Sequence, residues 1–198
     1  MNTVRCFIAI FLCPSLYKEV TMVQKKLANS GTDIKWVEPS NLHFTLQFLG
    51  DVENVRIPNI IHTLKKCLTG FSRFNLKLNG TGAFPNFRNP RVLWIGVSDG
   101  SKQLLNLTHM VREAMKIEGF IHDGKNFSPH LTIGRIRSAR NLRPLREKLD
   151  LGFDITGTME VEEVRFTASE LTAKGPIYNT IDIVRLDLPS DIQCTGTI

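Results

Sequence analysis

Two short segments of the 198-residue chain hold the side chains best suited to chemistry: His43-Phe44-Thr45-Leu46 and, 87 residues later, His130-Leu131-Thr132-Ile133. Composition alone predicts about 0.4 His-x-Thr matches in a chain of this make-up, and about 0.07 with apolar residues at both x positions. Two are present. In an extended strand residues i and i+2 share a face. His43 then stands beside Thr45 and His130 beside Thr132, while Phe44, Leu46, Leu131 and Ile133 point the other way into a core. Imidazole gains or loses a proton near neutral pH, and a hydroxyl donates to a phosphoryl oxygen. Two such units facing each other would hold a phosphate between two imidazoles. One takes a proton from water and the other protonates the departing oxygen, each transfer contributing about 10²–10⁴-fold. The hydroxyls and an arginine would stabilise the equatorial oxygens. This chemistry needs no metal and no cofactor.

The elements that must position these residues follow from apolar periodicity. Strands are expected over Arg5–Leu12, Leu42–Leu49, Phe74–Leu78, Val92–Val97, Phe127–Ile136, Val161–Phe166 and Tyr178–Leu186, with Gly50-Asp51 as a turn. Ser15 is placed to cap a helix whose Leu16, Val20, Val23 and Leu27 form one stripe. A second helix carries Ile57, Ile61, Leu64 and Leu68, with Pro58 in its first turn. A third spans Ser101–Ile117, and a short basic one Leu142–Leu149. Strands and helices mix without a regular βαβ rhythm, so the fold class is α+β with antiparallel sheets. The repeated tetrapeptide argues for two pseudo-symmetric lobes, each a sheet with helices on its outer face and a cleft between them. Residues 1–188 form one bilobal domain on this reading, and 189–198 a C-terminal tail.

Lys plus Arg number 25 against 19 for Asp plus Glu, for a net charge of +6. The surplus favours polyanionic partners and leaves the fold open. No apolar run approaches the length of a membrane span. Cys6–Cys13 reads as a buried strand, because a cleavage region is missing. Cys6, Cys13, Cys67 and Cys194 lack metal-ligand spacing, which points to reduced, structural thiols in a cytoplasmic protein.

Around the two motifs the sequence resembles the 2H phosphoesterase superfamily, and within it the RNA 2′,3′-cyclic phosphodiesterases, also called 2′-5′ RNA ligases. The resemblance takes in Arg5–Ile10, Trp36–Val52 (WVEPSNLHFTLQFLGDV), Arg91–Val97, Phe127–Arg135 (FSPHLTIGR), Ser169-Glu170-Leu171 and Gly175–Tyr178. It covers residues 4–187, nearly the whole chain. It implies an open cleft between two lobes and hydrolysis of a terminal 2′,3′-cyclic phosphate on RNA to a 2′-phosphate. His43 is implied as proton donor to the leaving 3′ oxygen, and His130 as the acceptor that activates water. Thr45 and Thr132 would hold the phosphate, Arg135 the phosphate or base, and Phe48 the nucleobase. Strict alternation from His43 would nevertheless turn Phe48 inward. The implied partner is RNA with a cyclic phosphate end, tRNA fragments included, met by a monomer away from membranes.

Two rivals share the cleft: 2′-5′ ligation, or cleavage of a 2′-5′ linkage, and a non-catalytic nucleotide- or RNA-binding module. Gly119–Lys125 imitates a phosphate loop, but Asn126 stands where Ser or Thr would bind magnesium and a strand follows. Arg135, Arg137, Arg140, Arg143, Arg146 and Lys148 form either a solvated face or a track for an RNA backbone. His62 is expected at the surface, His109 and His122 lack ligand spacing, and Trp36 and Trp94 read as lobe-packing residues.

Overall fold

The computed structural model describes residues 2–121, 127–153, 155, 157–173 and 175–189. Its strands are β1 (Thr3–Phe11), β2 (Ile34–Trp36), β3 (His43–Glu53), β4 (Phe74–Phe84), β5 (Val92–Val97), β6 (His130–Ile136), β7 (Thr158–Val161), β8 (Glu163–Thr172) and β9 (Gly175–Arg185). The helices are α1 (Tyr17–Ala28), α2 (Ile57–Leu68), α3 (Ser101–Ile117) and α4 (Leu142–Asp150). One sheet has the order β3-β1-β8-β9 and the other β2-β6-β5-β4-β7. Every pairing between these strands is antiparallel.

The helices cross between lobes. α1 leaves β1 of the first sheet but packs on β6 and α4 of the second; α3 leaves β5 of the second sheet and packs on β3 and α2 of the first. Their apolar stripes explain the docking: Val20, Val23 and Leu27 of α1 are buried, as are Leu104, Leu107, Val111 and Met115 of α3. In β1, Cys6, Ile8 and Ile10 join the core while Arg5 and Phe7 line the cleft. One buried cluster, from Ile8 and Phe44 through Leu107 to Ile95 and Leu131, spans both sheets. Burial pushes the thiols of Cys6 and Cys67 up to about 11, with Asp51 adding to the effect on Cys6. At neutral pH neither is a thiolate nucleophile.

Several boundaries differ from the sequence expectations. β3 runs through Gly50-Asp51 to Glu53, because Gly50 adopts φ 71° at a bulge instead of a turn. Ser15 caps nothing: Pro14–Leu16 is a 3-10 turn, α1 begins at Tyr17, and the Ser15 hydroxyl lies 2.8 Å from Cys13 Sγ. β4 extends beyond Leu78 to Phe84, and β6 begins only at His130. The expected strand Val161–Phe166 is two strands in different sheets, broken at Glu162 where the chain crosses lobes. The crossing coincides with a slip in the alternation, where two charged residues, Glu162 and Glu163, stand between Val161 and Val164. β2, three residues on a sheet edge, is too short to show a period. Residues 190–198 of the expected tail, with Cys194, lie outside the described residues, as do residues 122–126 with His122. No helix among the described residues is long and apolar enough to cross a membrane.

Candidate active site

Each His-x-Thr strand carries a bulge at the same place, three residues after its histidine. In β3, Thr45 pairs with Ala9 and Gln47 with Ile8, leaving Leu46 without a partner. In β6, Thr132 pairs with Trp94 and Gly134 with Leu93, leaving Ile133 without one. An extra residue reverses the alternation that follows. Leu46 and Gln47 are therefore both buried, as are Ile133 and Gly134, and the fifth residue after each histidine returns to the cleft. That residue is Phe48 in one strand and Arg135 in the other. The inward orientation that strict alternation predicts for Phe48 is thus overturned: it is 49% exposed, and Arg5 lies over its ring at 4.9 Å.

Both bulges are held from behind by the helix that crossed over. The carboxamide of Gln24 in α1 donates to Ile133 O at 3.0 Å and to Val37 O at 2.9 Å. Arg112 Nε in α3 donates to Leu46 O at 3.3 Å. A buried amide is tolerated in a core only when its hydrogen bonds are made, and Gln24 makes them to the strand that aims Arg135.

The imidazoles are oriented alike. His43 Nδ1 is 2.7 Å from Asn41 O, and His130 Nδ1 is 2.6 Å from Ser128 O. A carbonyl only accepts, so each Nδ1 carries the proton and each Nε2 is left for the cleft. Asn41 is itself tied across to β9, its Nδ2 donating to Pro176 O at 3.1 Å. Aromatic rings buttress both histidines: Phe7 and Phe11 at 4.9 and 5.4 Å and Tyr178 edge-on at 5.3 Å for His43, Phe84 edge-on at 4.9 Å for His130. Burial pushes both imidazoles below the usual histidine range; the Arg135 guanidinium reinforces this in both, and His130 adds to it at His43. Burial also raises the Tyr178 phenol, which Arg135 partly offsets.

His43, Thr45, Phe48, His130, Thr132 and Arg135 all line one cavity of about 670 Å³ between the lobes. All six site residues expected from sequence are thereby brought together. Arg5 and Lys35 are also in its wall, and Glu38 is the one carboxylate there among the described residues. Asn41 and Tyr178, which also line it, were not singled out for a role from sequence; nor were Gln24 and Arg112 behind it. A polar residue on an apolar helix stripe is the signal that could have found Gln24. Trp36 does pack against the core and also lines the cavity. Trp94 instead shares the sheet face of Thr132, tilted against Phe84 at 5.4 Å and lying over Gly82, where a Cβ would run into the indole. Only Arg135 of the basic run reaches the cavity. On α4, Arg143 pairs with Glu147 at 3.1 Å and Arg146 donates to Arg88 O. Among the described residues, no three His, Cys, Asp or Glu side chains are grouped to hold a metal.

Two antiparallel sheets, each offering a His-x-Thr strand to a shared cleft, are the architecture of the 2H phosphoesterases. The chain belongs to the 2′-5′ RNA ligase superfamily, whose family model matches residues 14–173. The RNA 2′,3′-cyclic phosphodiesterase of Methanothermobacter thermautotrophicus is 36% identical over 184 residues, covering 92% of this chain and 99% of the relative. The protein of the same name from Aquifex aeolicus is 38% identical over 188 residues, covering 92% and 97%. Among solved structures, TT0787 of Thermus thermophilus superposes with a TM-score of 0.76 at 25% identity, covering 92% of this chain and 97% of that one. E. coli LigT complexed with 3′-AMP has the same fold, with a TM-score of 0.76 at 23% identity over 93% and 99% of the two chains.

Proposed function

We propose that this protein is an RNA 2′,3′-cyclic phosphodiesterase that works by metal-independent acid–base catalysis between two histidines. The observation that carries the reading is the matched pair of Nδ1–carbonyl hydrogen bonds, which leaves both Nε2 atoms available to one cavity. His130 Nε2 removes a proton from water as its oxygen bonds to phosphorus. The bond from phosphorus to O3′ breaks, and His43 Nε2–H protonates that oxygen, leaving a 2′-phosphate. The two imidazoles exchange protons with solvent to reset. Thr45 and Thr132 donate to the equatorial oxygens, and Arg135 faces the negative charge that builds on them. Phe48, stiffened by Arg5, presents its ring to the terminal base. Residues 1–188 act as one bilobal domain, and since both histidines come from one chain a monomer suffices. RNA ends, tRNA fragments among them, are the substrate class.

The same two imidazoles would serve ligation if a 5′-hydroxyl replaced water, the reaction for which the superfamily is named. The test is a short labelled RNA with a 2′,3′-cyclic phosphate, incubated in EDTA with and without a 5′-hydroxyl acceptor. Conversion to a 2′-phosphate, lost in both His43→Ala and His130→Ala, is expected. A joined product without hydrolysis would move the assignment to ligation, and binding without turnover to a non-catalytic module.

A further inference from the structure

Lys35 plays no part in the reaction as proposed, yet its setting is unusual. It pairs directly with Arg135 across β2 and β6, so two cations share one face of the sheet. Like charges directly opposite each other on neighbouring strands destabilise the pairing. Neither Lys35 nor Arg135 has a carboxylate within salt-bridge distance among the described residues. Both side chains are exposed to the cavity. The Lys35 ammonium also reaches the opposite lobe: a Cβ on Gly175, at the start of β9, would lie 3.7 Å from its Nζ. Gly175 is three residues along β9 from Tyr178, whose ring stands against His43. At about 3.3 Å per residue that separation is roughly 10 Å. Lys35 therefore lies toward the Gly175 end of β9, displaced along the cleft from the Tyr178 ring that stands against His43.

We infer that Lys35, opposed to Arg135, forms a subsite for a second phosphate, the one on the 5′ side of the nucleotide whose cyclic phosphate is hydrolysed. The inference rests on the proposed phosphodiesterase reading. A phosphate there relieves the Lys35–Arg135 repulsion through charge-assisted hydrogen bonds, which are the strong ones. The subsite makes the enzyme read a polynucleotide end in preference to a lone nucleoside cyclic phosphate. The required chemistry is a phosphate at that position, whether a chain phosphodiester or a 5′-phosphomonoester.

Three substrates separate the possibilities: a nucleoside 2′,3′-cyclic phosphate with a free 5′-hydroxyl, the same compound bearing a 5′-phosphate, and a dinucleotide with a cyclic end. Wild type is expected to prefer the second and third. In Lys35→Gln the kcat/KM advantage of both over the first falls roughly tenfold, the loss of one charged hydrogen bond, and Lys35→Arg restores most of it. The slope of dinucleotide affinity against salt becomes shallower by about 0.7, one phosphate contact on a single strand. Equal losses on all three substrates, or an advantage confined to the dinucleotide and untouched by Lys35→Gln, would overturn the subsite while leaving the phosphodiesterase reading intact. If wild type hydrolyses none of the three, that reading falls and the subsite with it.

Discussion

His43 and His130 are held below the ordinary imidazole range chiefly because burial disfavours the cation, and Arg135 pushes in the same direction. The competent form carries one proton more than the neutral pair, on His43 Nε2, so both groups set the pH profile as a coupled unit. With both values lowered from 6.5, rising pH removes the acid's proton early. The alkaline limb of kcat/KM is expected below pH 6.5, falling about tenfold per unit. A bound phosphate anion favours the cation, so the limb of kcat should stand at higher pH; a pH–rate series in both parameters checks this. Removing the guanidinium gives a sharper test. Arg135→Ala should raise both imidazole values, read by NMR titration of the ring protons, whereas unchanged titrations would separate Arg135 from the histidines.

At the scale of the element, the decisive feature is the bulge that each His-x-Thr strand carries three residues beyond its histidine. It turns the fourth residue after each histidine, Gln47 or Gly134, inward and brings the fifth, Phe48 or Arg135, to the cleft. Gln24 is the interior support for the β6 bulge, and Gln24→Leu leaves Val37 O without that donor. That carbonyl is part-buried and the lost hydrogen bond costs about 0.5–1.5 kcal/mol, so denaturant unfolding should show a loss of that size. If Gln24 also positions Arg135, the variant should lower kcat/KM in wild type but add little in an Arg135→Ala background, a non-additivity that lost stability alone does not produce. The floor beneath His130 is equally constrained. Gly82→Ala would drive a methyl into the Trp94 indole, an overpacking expected to cost about 1–3 kcal/mol and measurable as a lowered midpoint.

For the whole molecule, the exchange of α1 and α3 between lobes means that each sheet packs against a helix that follows a strand of the other. One cluster spans both, and unfolding is expected to be a single transition. Its pH dependence follows from the histidines. Their folded values lie below the unfolded 6.5, so the unfolded chain binds more protons between the two. The stability of their neutral forms is fully present above pH 6.5 and is lost as pH falls from there through the folded values. The double variant His43→Gln, His130→Gln should flatten this part of the curve, and an unchanged acid slope would place the lability elsewhere.

The repeated His-x-Thr strands, the four helices and the pseudo-symmetric α+β plan were legible in the sequence because each rests on a local pattern that side-chain chemistry imposes. Thr45 and Thr132 beside their histidines follow from alternation alone. Alternation fails one residue later. Whether a strand bulges at Leu46 or Ile133 depends on what its partner strand and the helix behind it offer to the displaced carbonyl. No local pattern records that Gln24 and Arg112 supply it from helices that belong, in chain order, to the other lobe. The break at Glu162 leaves a local mark, the slip from Val161 to Val164 across Glu162-Glu163, but which sheet each half joins depends on pairing partners far away in the chain. Residue types thus determined the reagents. The cavity that gathers Phe48, Arg135 and Lys35 around them was decided by register and by contacts between lobes, which exist only once the chain has folded.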